Sequence, residues 1–187
     1  MKIYLAGPEV FLPNARAQLD RKAELARAIG FVPLSPGDLH VPPAKTLKDY
    51  GLAISAVNEQ MMLEADGIIA NLTPWRGISA DAGTVYELGF MCALNKACYA
   101  YTNVARDHFL RTVDFYGGRF ASDNHGRVRG PDGLAMENYD MMDNLMLPGG
   151  IAQRGGSVVI GNAPADAIDT DTEAFEECLS IMAKKYL

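Results

Sequence analysis

Residues 67 to 73, GIIANLT, are the segment that most constrains the fold of this chain. The run is almost continuously apolar and is bounded by residues typical of turns. A short apolar run of this kind is typical of a strand that is buried on both faces. Such strands occur in parallel sheets, where helices cover each side. The sequence therefore predicts a parallel sheet with this strand near its centre.

The neighbouring segments alternate as a parallel sheet requires. Strand-type runs lie at 2–6, 31–34 and 97–102, and amphipathic or apolar helical patterns lie at 14–29, 45–65 and 82–95. This alternation indicates an α/β fold that is Rossmann-like (flavodoxin-like) and doubly wound. We expect a mostly parallel five-stranded sheet with helices on both faces, with SVVI at 157–160 as a further strand or an extended linker and a last helix at 171–186.

The length of 187 residues favours a single domain over residues 1–187. A loop-rich excursion at about 104–155 interrupts the strand and helix rhythm. The excursion is rich in Gly, Asp, Asn and Arg, so we expect most of it to be solvated, and long segments of this kind are often functional.

Charge and composition disfavour several classes of partner. The formal net charge is −6, and an acidic chain repels the nucleic-acid backbone, so we expect no nucleic-acid partner. No apolar run is long enough to span a bilayer, and the first residues do not resemble a signal peptide. The three cysteines have no metal-type spacing, which favours reduced thiols in a cytoplasmic protein.

Ligands of open parallel sheets bind beyond the carboxyl ends of the strands. The loops at that edge are 7–14, 35–43 and 73–81. The first of them, GPEVFLPN, has neither the GxGxxG pattern nor the GxxxxGK[ST] phosphate cradle. A dinucleotide or nucleoside triphosphate site is therefore disfavoured.

Two carboxylates stand near the third loop, in SADAGTVYELGF at 79–90. Asp81 precedes a helix and can cap it by accepting a hydrogen bond from an N–H near Thr84. Glu87 lies in the second turn of that helix, which is apolar nearly all round and is therefore predicted to be buried. A buried carboxylate without a partner is costly. Glu87 thus either pairs with a cation such as Arg76 or Lys96, or faces a cavity and has a catalytic role.

A carboxylate in an apolar pocket near a helix N-terminus can attack a carbon that develops positive charge. The C1' carbon of a glycosidic bond is such a carbon, and attack on it gives a covalent glycosyl-enzyme. A carboxylate placed as Glu87 is predicted to be is therefore suited to attack a sugar carbon of this kind.

Four pieces of this sequence together resemble the nucleoside 2-deoxyribosyltransferase family. They are KIYLAGPEVF, NEQMMLEADGIIANLT, RGISADAGTVYELGF and DNLML. The likeness covers residues 2 to 103 and returns at 143 to 147. The spacing D-x5-E-L-G after a strand of the form AD-x-[IV][IV]-A is fairly specific, whereas no single piece would be.

The resemblance implies roles for particular residues. Glu87 matches the family nucleophile, Tyr4 a tyrosine beside the nucleophile and the sugar 2' position, and Asp81 the acid that holds the 5'-hydroxyl. Asn144 and Met146 match residues that a neighbouring subunit lends to the site.

Further positions concern the base. Asn58 falls where some members carry an Asp, and an amide can bind a ring nitrogen but cannot act as a general acid. Phe11 and Trp75 are candidates to flank the base, and Asp38 is a candidate to reach its edge.

The implied reaction is transfer of a 2-deoxyribosyl group between nucleobases, with a deoxynucleoside and a free base as partners. No metal or organic cofactor is expected, and we expect a homo-oligomer with no membrane association. Two alternatives stay open. One is hydrolysis of a nucleoside or nucleoside 5'-monophosphate through the same intermediate, and the other is a non-catalytic nucleoside-sensing domain.

Overall fold

Five parallel strands form the central sheet of the computed structural model, which describes residues 1 to 187 throughout. The strands are β1 (Lys2–Ala6), β2 (Val32–Leu34), β3 (Gly67–Asn71), β4 (Ala97–Thr102) and β5 (Val158–Ile160). Their order across the sheet is β2-β1-β3-β4-β5, and every neighbouring pair is parallel. The predicted fold class is therefore confirmed, with GIIAN of the central run as the fully buried strand β3.

Six α-helices accompany the sheet: α1 (Ala15–Ile29), α2 (Leu47–Glu64), α3 (Ala82–Ala93), α4 (His108–Phe115), α5 (Met146–Ala152) and α6 (Glu173–Tyr186). One apolar cluster joins α1 and α6 to one face of the sheet, and a second joins α2, α3 and α5 to the other. Side chains alternate along a strand, so Ile3 and Leu5 of β1 point to the first face and Tyr4 points to the second. Tyr4 thereby lies on the same side of the sheet as α3. None of the helices is both long and apolar enough to cross a membrane.

The helix α3 is less buried than its apolar sequence predicts. Leu88 and Met91 are buried against the sheet, but Tyr86 is 54% exposed, and Leu94, directly after the helix, is 40% exposed. The prediction of burial nearly all round was wrong because the sheet, α2 and α5 cover only part of the helix in a single chain. Glu87 lies on the partly buried side.

The excursion contains more structure than its composition suggests. It includes α4, a short hairpin of Ala121–Ser122 and Val128–Arg129, and α5. Two of its charged residues, Arg111 and Asp143, are buried. The expectation of a mostly solvated segment is therefore wrong for its two ends, which pack against the rest of the chain, and it holds only for part of its middle.

A buried ion pair fixes the segment that follows β1. This segment is a 3-10 helix over Pro8–Phe11, and the carboxylate of Glu9 within it is 2% exposed. Glu9 Oε1 accepts hydrogen bonds from Lys22 Nζ at 2.7 Å, Asn71 Nδ2 at 2.9 Å and the Tyr101 hydroxyl at 3.1 Å. Burial acts to raise the pKa of Glu9, but the charge and hydrogen bond of Lys22, with the Asn71 amide, hold it below its usual value. The first loop is thus tied to α1, β3 and β4.

Gly7 leaves room for this arrangement. A Cβ at position 7 would lie 2.0 Å from Glu9 Oε2 and 2.9 Å from Asn71 Cβ. The Glu9 carboxylate folds back into the space that a side chain would occupy, so position 7 requires glycine for steric reasons.

We expect Lys22→Met to lower the free energy of unfolding by about 3–5 kcal/mol, because it leaves the Glu9 carboxylate buried without its cation. Urea denaturation monitored by circular dichroism measures this quantity. The double variant Glu9→Gln/Lys22→Met should lose less than the single variant, since it buries no unpaired charge. Arg106→Met breaks the exposed pair with Asp114 and should change stability by less than about 1 kcal/mol. Equal losses for the buried and the exposed pair would contradict this account.

Candidate active site

A cavity of about 620 Å³ opens beyond the carboxyl end of β1, between the loop after that strand and the start of α3, the helix that follows β3. These strands are adjacent, and the chain leaves β1 towards β2 on one side and β3 towards β4 on the other. This is the switch point of the sheet, where ligands of such folds bind. One wall is apolar and comes from the loop after β2 and from α2; its members are Leu39, Val41, Tyr50, Ile54 and Val57.

Glu87 and Tyr4 meet beside this cavity. Glu87 lines it from the second turn of α3, and Tyr4 lies fully buried on β1. The Tyr4 hydroxyl donates a hydrogen bond to Glu87 Oε1 at 2.7 Å. Burial, followed by the neighbouring Glu87 charge, raises the pKa of Tyr4 far above its usual value, so its hydroxyl stays protonated and remains a donor. The geometry leaves Glu87 Oε2 free of protein hydrogen bonds.

Glu87 forms no ion pair. Lys96 donates to the backbone carbonyls of Met62, Leu63 and Ala65 at the end of α2. The Arg76 guanidinium lies over the rings of Phe11 and Trp75, 5.4 and 5.3 Å from their centroids. Neither cation neutralises Glu87, so the structural ion pair considered from the sequence is absent.

The surroundings of Glu87 favour its protonated form. Burial is the largest effect, the hydrogen bond from Tyr4 acts in the opposite direction, and the charges of Asp81 and Glu9 add to the burial effect. Together they raise the pKa of Glu87 to about 7. This carboxyl is therefore close to half ionised near neutral pH.

Asp81 caps α3, as the sequence predicts. Its Oδ2 accepts hydrogen bonds from the backbone N–H of Thr84 at 3.0 Å and from the Thr84 hydroxyl at 3.2 Å. Asp81 also lines the cavity together with Glu87. Although the two residues would point in different directions within one helix, the capping position lies outside the helix and lets Asp81 face the same space.

The structure separates the four candidate base-contacting residues into two pairs. Phe11 and Asn58 line the cavity. Trp75 does not, and instead stacks on Phe11 with ring centroids 5.8 Å apart. Asp38 is also outside the lining, where it accepts hydrogen bonds from the Ser35 N–H and from Arg16.

Asn144 and Met146 do not line the cavity of their own chain. The Asn144 amide donates to Glu137 Oε1 at 2.7 Å, and its carbonyl oxygen accepts from the Met146 N–H at 3.1 Å. The Met146 side chain is largely solvent-exposed, since the residue is 70% exposed.

Sequence reasoning missed two features of the site. Arg16 lines the cavity from α1 and bridges to Asp38, and nothing in its sequence context distinguishes it from a surface arginine. The burial of Lys22 could have been predicted, because it is three residues after Leu19 and so lies on the apolar face of α1. A buried lysine in turn requires a buried acid such as Glu9. The chain has no group of three or more His, Cys, Asp or Glu residues arranged to hold a metal ion.

The raised pKa of Glu87 predicts a pH-dependent stability effect of Glu87→Gln. The folded pKa of about 7 exceeds the usual value of 4.5, so ionisation of Glu87 destabilises the fold as pH rises through this range. The variant should therefore gain up to about 3 kcal/mol of unfolding free energy at pH 8. At pH 4 the gain should nearly vanish, because the carboxyl is protonated in the folded state and mostly protonated in the unfolded state. Denaturation curves at the two pH values provide the measurement. The exposed Glu24→Gln serves as the matched control, and a gain independent of pH would refute the explanation.

Comparison with known proteins adds the family to this geometry. A family model described as nucleoside 2-deoxyribosyltransferase matches residues 3–146. A 2-desoxiribosyltransferase from Leishmania mexicana has a similar structure, with a TM-score of 0.66, 29% identity, and coverage of 100% of this chain and 99% of that one. An uncharacterized protein of Schizosaccharomyces pombe is 29% identical over 179 residues, covering 90% of this chain and 85% of the relative.

A conserved protein of Enterococcus faecalis V583 shares the fold, with a TM-score of 0.58 at 19% identity and coverage of 97% of this chain and 98% of that one. The family match spans well over half of the sequence and includes Tyr4 on β1 and both Asp81, the cap of α3, and Glu87 within that helix. This chain belongs to the nucleoside 2-deoxyribosyltransferase family.

Proposed function

We propose that this protein transfers the 2-deoxyribosyl group between nucleobases by a double displacement through a deoxyribosyl-Glu87 intermediate. The environment of the Glu87 carboxyl is the main support for this reaction. Its carboxyl borders a cavity, has no cation beside it, and is oriented by a hydrogen bond from Tyr4 to one oxygen only. The family membership supports the same reaction class.

In the first displacement, Glu87 Oε2 attacks C1' of the bound deoxynucleoside. The C1'–O bond forms while the C1'–N bond to the base breaks, and the base leaves with the bonding electrons and takes a proton from water. The hydrogen bond from Tyr4 to Oε1 favours the ionised carboxylate and fixes the orientation of Oε2. In the second displacement, a ring nitrogen of an incoming base attacks C1' and gives up its proton to water, while the C1'–O bond breaks and Glu87 leaves as the carboxylate.

The sugar would lie between the two carboxylates. Asp81 is the proposed acceptor for the 5'-hydroxyl, since it borders the cavity close to Glu87. Its negative charge would repel a 5'-phosphate at short range, which favours nucleosides over nucleotides. Tyr4 is fully buried and does not line the cavity, so its proposed part is to orient Glu87 through the hydrogen bond, and any discrimination at the 2' position would act through that bond.

The base would occupy the part of the cavity beyond the sugar. Phe11 and Asn58 are the proposed contacts, an aromatic face and an amide that can bind a ring nitrogen. Asn144 and Met146 lie outside this cavity, and Met146 is exposed. We propose that they complete the site of a second copy of this chain.

Base exchange is the direct test of the proposed reaction. We expect each productive pairing of a 2'-deoxynucleoside with a second free base to yield the new deoxynucleoside, detected by liquid chromatography. Glu87→Ala should lower the rate by at least about a thousandfold, because it removes the nucleophile. Mass spectrometry after incubation with a 2-fluoro-2-deoxy nucleoside should place an adduct on the α3 peptide.

The same assay separates the alternatives. Free deoxyribose without a new nucleoside would indicate hydrolysis of the intermediate. Absence of both turnover and adduct would favour a nucleoside-binding protein without catalytic activity.

The pH profile of kcat/KM should rise with a midpoint near 7, because the free protein must ionise Glu87 to react. Tyr4→Phe removes the hydrogen bond that favours the carboxylate, so the rising limb should move to higher pH and the maximal rate should fall about 10- to 100-fold. Tyr139→Phe alters an exposed tyrosine and should leave the profile unchanged. A rising limb at the same pH in Tyr4→Phe would count against the proposed role of Tyr4.

A further inference from the structure

A buried arginine of the excursion holds several chain segments together. Arg111 lies on α4, and its side chain is 8% exposed. Its Nε donates to the Ile78 carbonyl at 2.8 Å, in the loop before α3. Its Nη2 donates to the Met142 carbonyl at 2.6 Å, and Nη1 donates to the Arg106 carbonyl at 2.7 Å. The guanidinium therefore joins the loop before Asp81 to the segment before Asn144.

Asp143 makes the same connection from the opposite side. Its side chain is fully buried, and its Oδ2 lies 3.4 Å from Arg111 Nη2. Asp143 Oδ2 also accepts a hydrogen bond from the Ala80 N–H at 2.9 Å, and Oδ1 accepts one from the Asn144 N–H at 2.7 Å. Ala80 directly precedes Asp81, so a single carboxylate is bonded to the backbone beside both Asp81 and Asn144.

The loop before Asp81 needs such an anchor. Residues 72–81 contain neither helix nor strand, and Arg76 within them has a left-handed backbone with φ of 52°. The cap of α3 fixes the Asp81 side chain relative to Thr84. The path of the chain into that cap is set by two hydrogen bonds, one that Asp143 accepts from the Ala80 N–H and one that Arg111 donates to the Ile78 carbonyl.

We propose that Asp143 and Arg111 are positioning residues for recognition of the sugar 5'-hydroxyl. They touch no substrate, and they act by holding the backbone that carries Asp81 and, on the other side, Asn144. This inference rests on the proposed function, because it deepens the role given there to Asp81. The proposal also gives the excursion at about 104–155 a role in the site, because its helix α4 contains Arg111.

The test compares substrates that do and do not have the group in question. The four natural 2'-deoxynucleosides and their 5'-deoxy counterparts are assayed as donors with wild-type protein and with Asp143→Asn. An asparagine can accept only one of the two backbone hydrogen bonds through its single carbonyl oxygen. We expect kcat/KM for the 5'-hydroxyl donors to fall about tenfold or more, as for other small displacements of a positioning group. For the 5'-deoxy donors the loss should be less than about twofold.

Two further variants guard against a general effect on folding. Arg111→Lys keeps the positive charge but loses the planar fork, and it should show the same substrate dependence with a smaller loss. Asp114→Asn is the matched control, since it makes the same substitution on α4 in an exposed pair with Arg106. It should leave both classes of donor unaffected. Equal losses on the two classes of donor with Asp143→Asn, or no loss on either, would overturn the proposal.

A binding measurement keeps this proposal separate from the proposed reaction. Calorimetric titration of Glu87→Gln and of Glu87→Gln/Asp143→Asn with the same nucleosides requires no turnover. Asp143→Asn should weaken binding of the 5'-hydroxyl compounds only. If the wild-type protein shows no base exchange but the binding contrast appears, the transfer reaction fails and the positioning role stands. If no nucleoside binds, both proposals fail.

Discussion

The hydrogen bond between Tyr4 and Glu87 is the interaction on which the candidate site depends. It joins a strand near the centre of the sheet to the helix that carries the carboxylate. Because Tyr4 is fully buried between the layers, its hydroxyl cannot follow the motions of the surface loops. The direction of the Glu87 carboxyl is therefore set by the core of the protein, which is the kind of support that a precise catalytic group requires.

Three carboxylates lie close together around the candidate site, which is electrostatically unfavourable. Glu87 lies near two other carboxylates, Asp81 and Glu9, and has only a neutral hydrogen-bond donor of its own. The one fully buried lysine, Lys22, is engaged by Glu9 on the opposite side of the first loop. Glu9, the structural carboxylate, is therefore paired with a cation, whereas Glu87, the proposed nucleophile, is not. The oxygen atoms of Glu87 are not engaged by a positive charge.

The sequence predicts the fold and the centre of the site because both depend on local patterns. The alternation around GIIANLT specifies the sheet, and Asp81 and Glu87 stand out because they interrupt small and apolar residues. The apolar wall of the cavity depends on how α2 packs relative to the sheet. The apolar pattern within α2 does not specify the position of that helix. Trp75 and Asp38 were candidates to contact the base, but loop geometry turns them towards Phe11 and Arg16. Arg111 and Asp143 join segments about 30 residues apart, so neither segment alone reveals their pairing.

The close approach of Glu9 to Gly7 makes the side of the cavity formed by the first loop rigid, since Gly7 lines the cavity there. On the side of the first loop, a change at position 7 displaces a carboxylate that is already engaged with α1, β3 and β4. On the side of α2, Tyr50 and Ile54 border the cavity with much of their surface in solvent, so new side chains meet few neighbours there. Substitutions should therefore be tolerated more readily along α2 than at position 7, where any side chain also requires the buried acid to move or change.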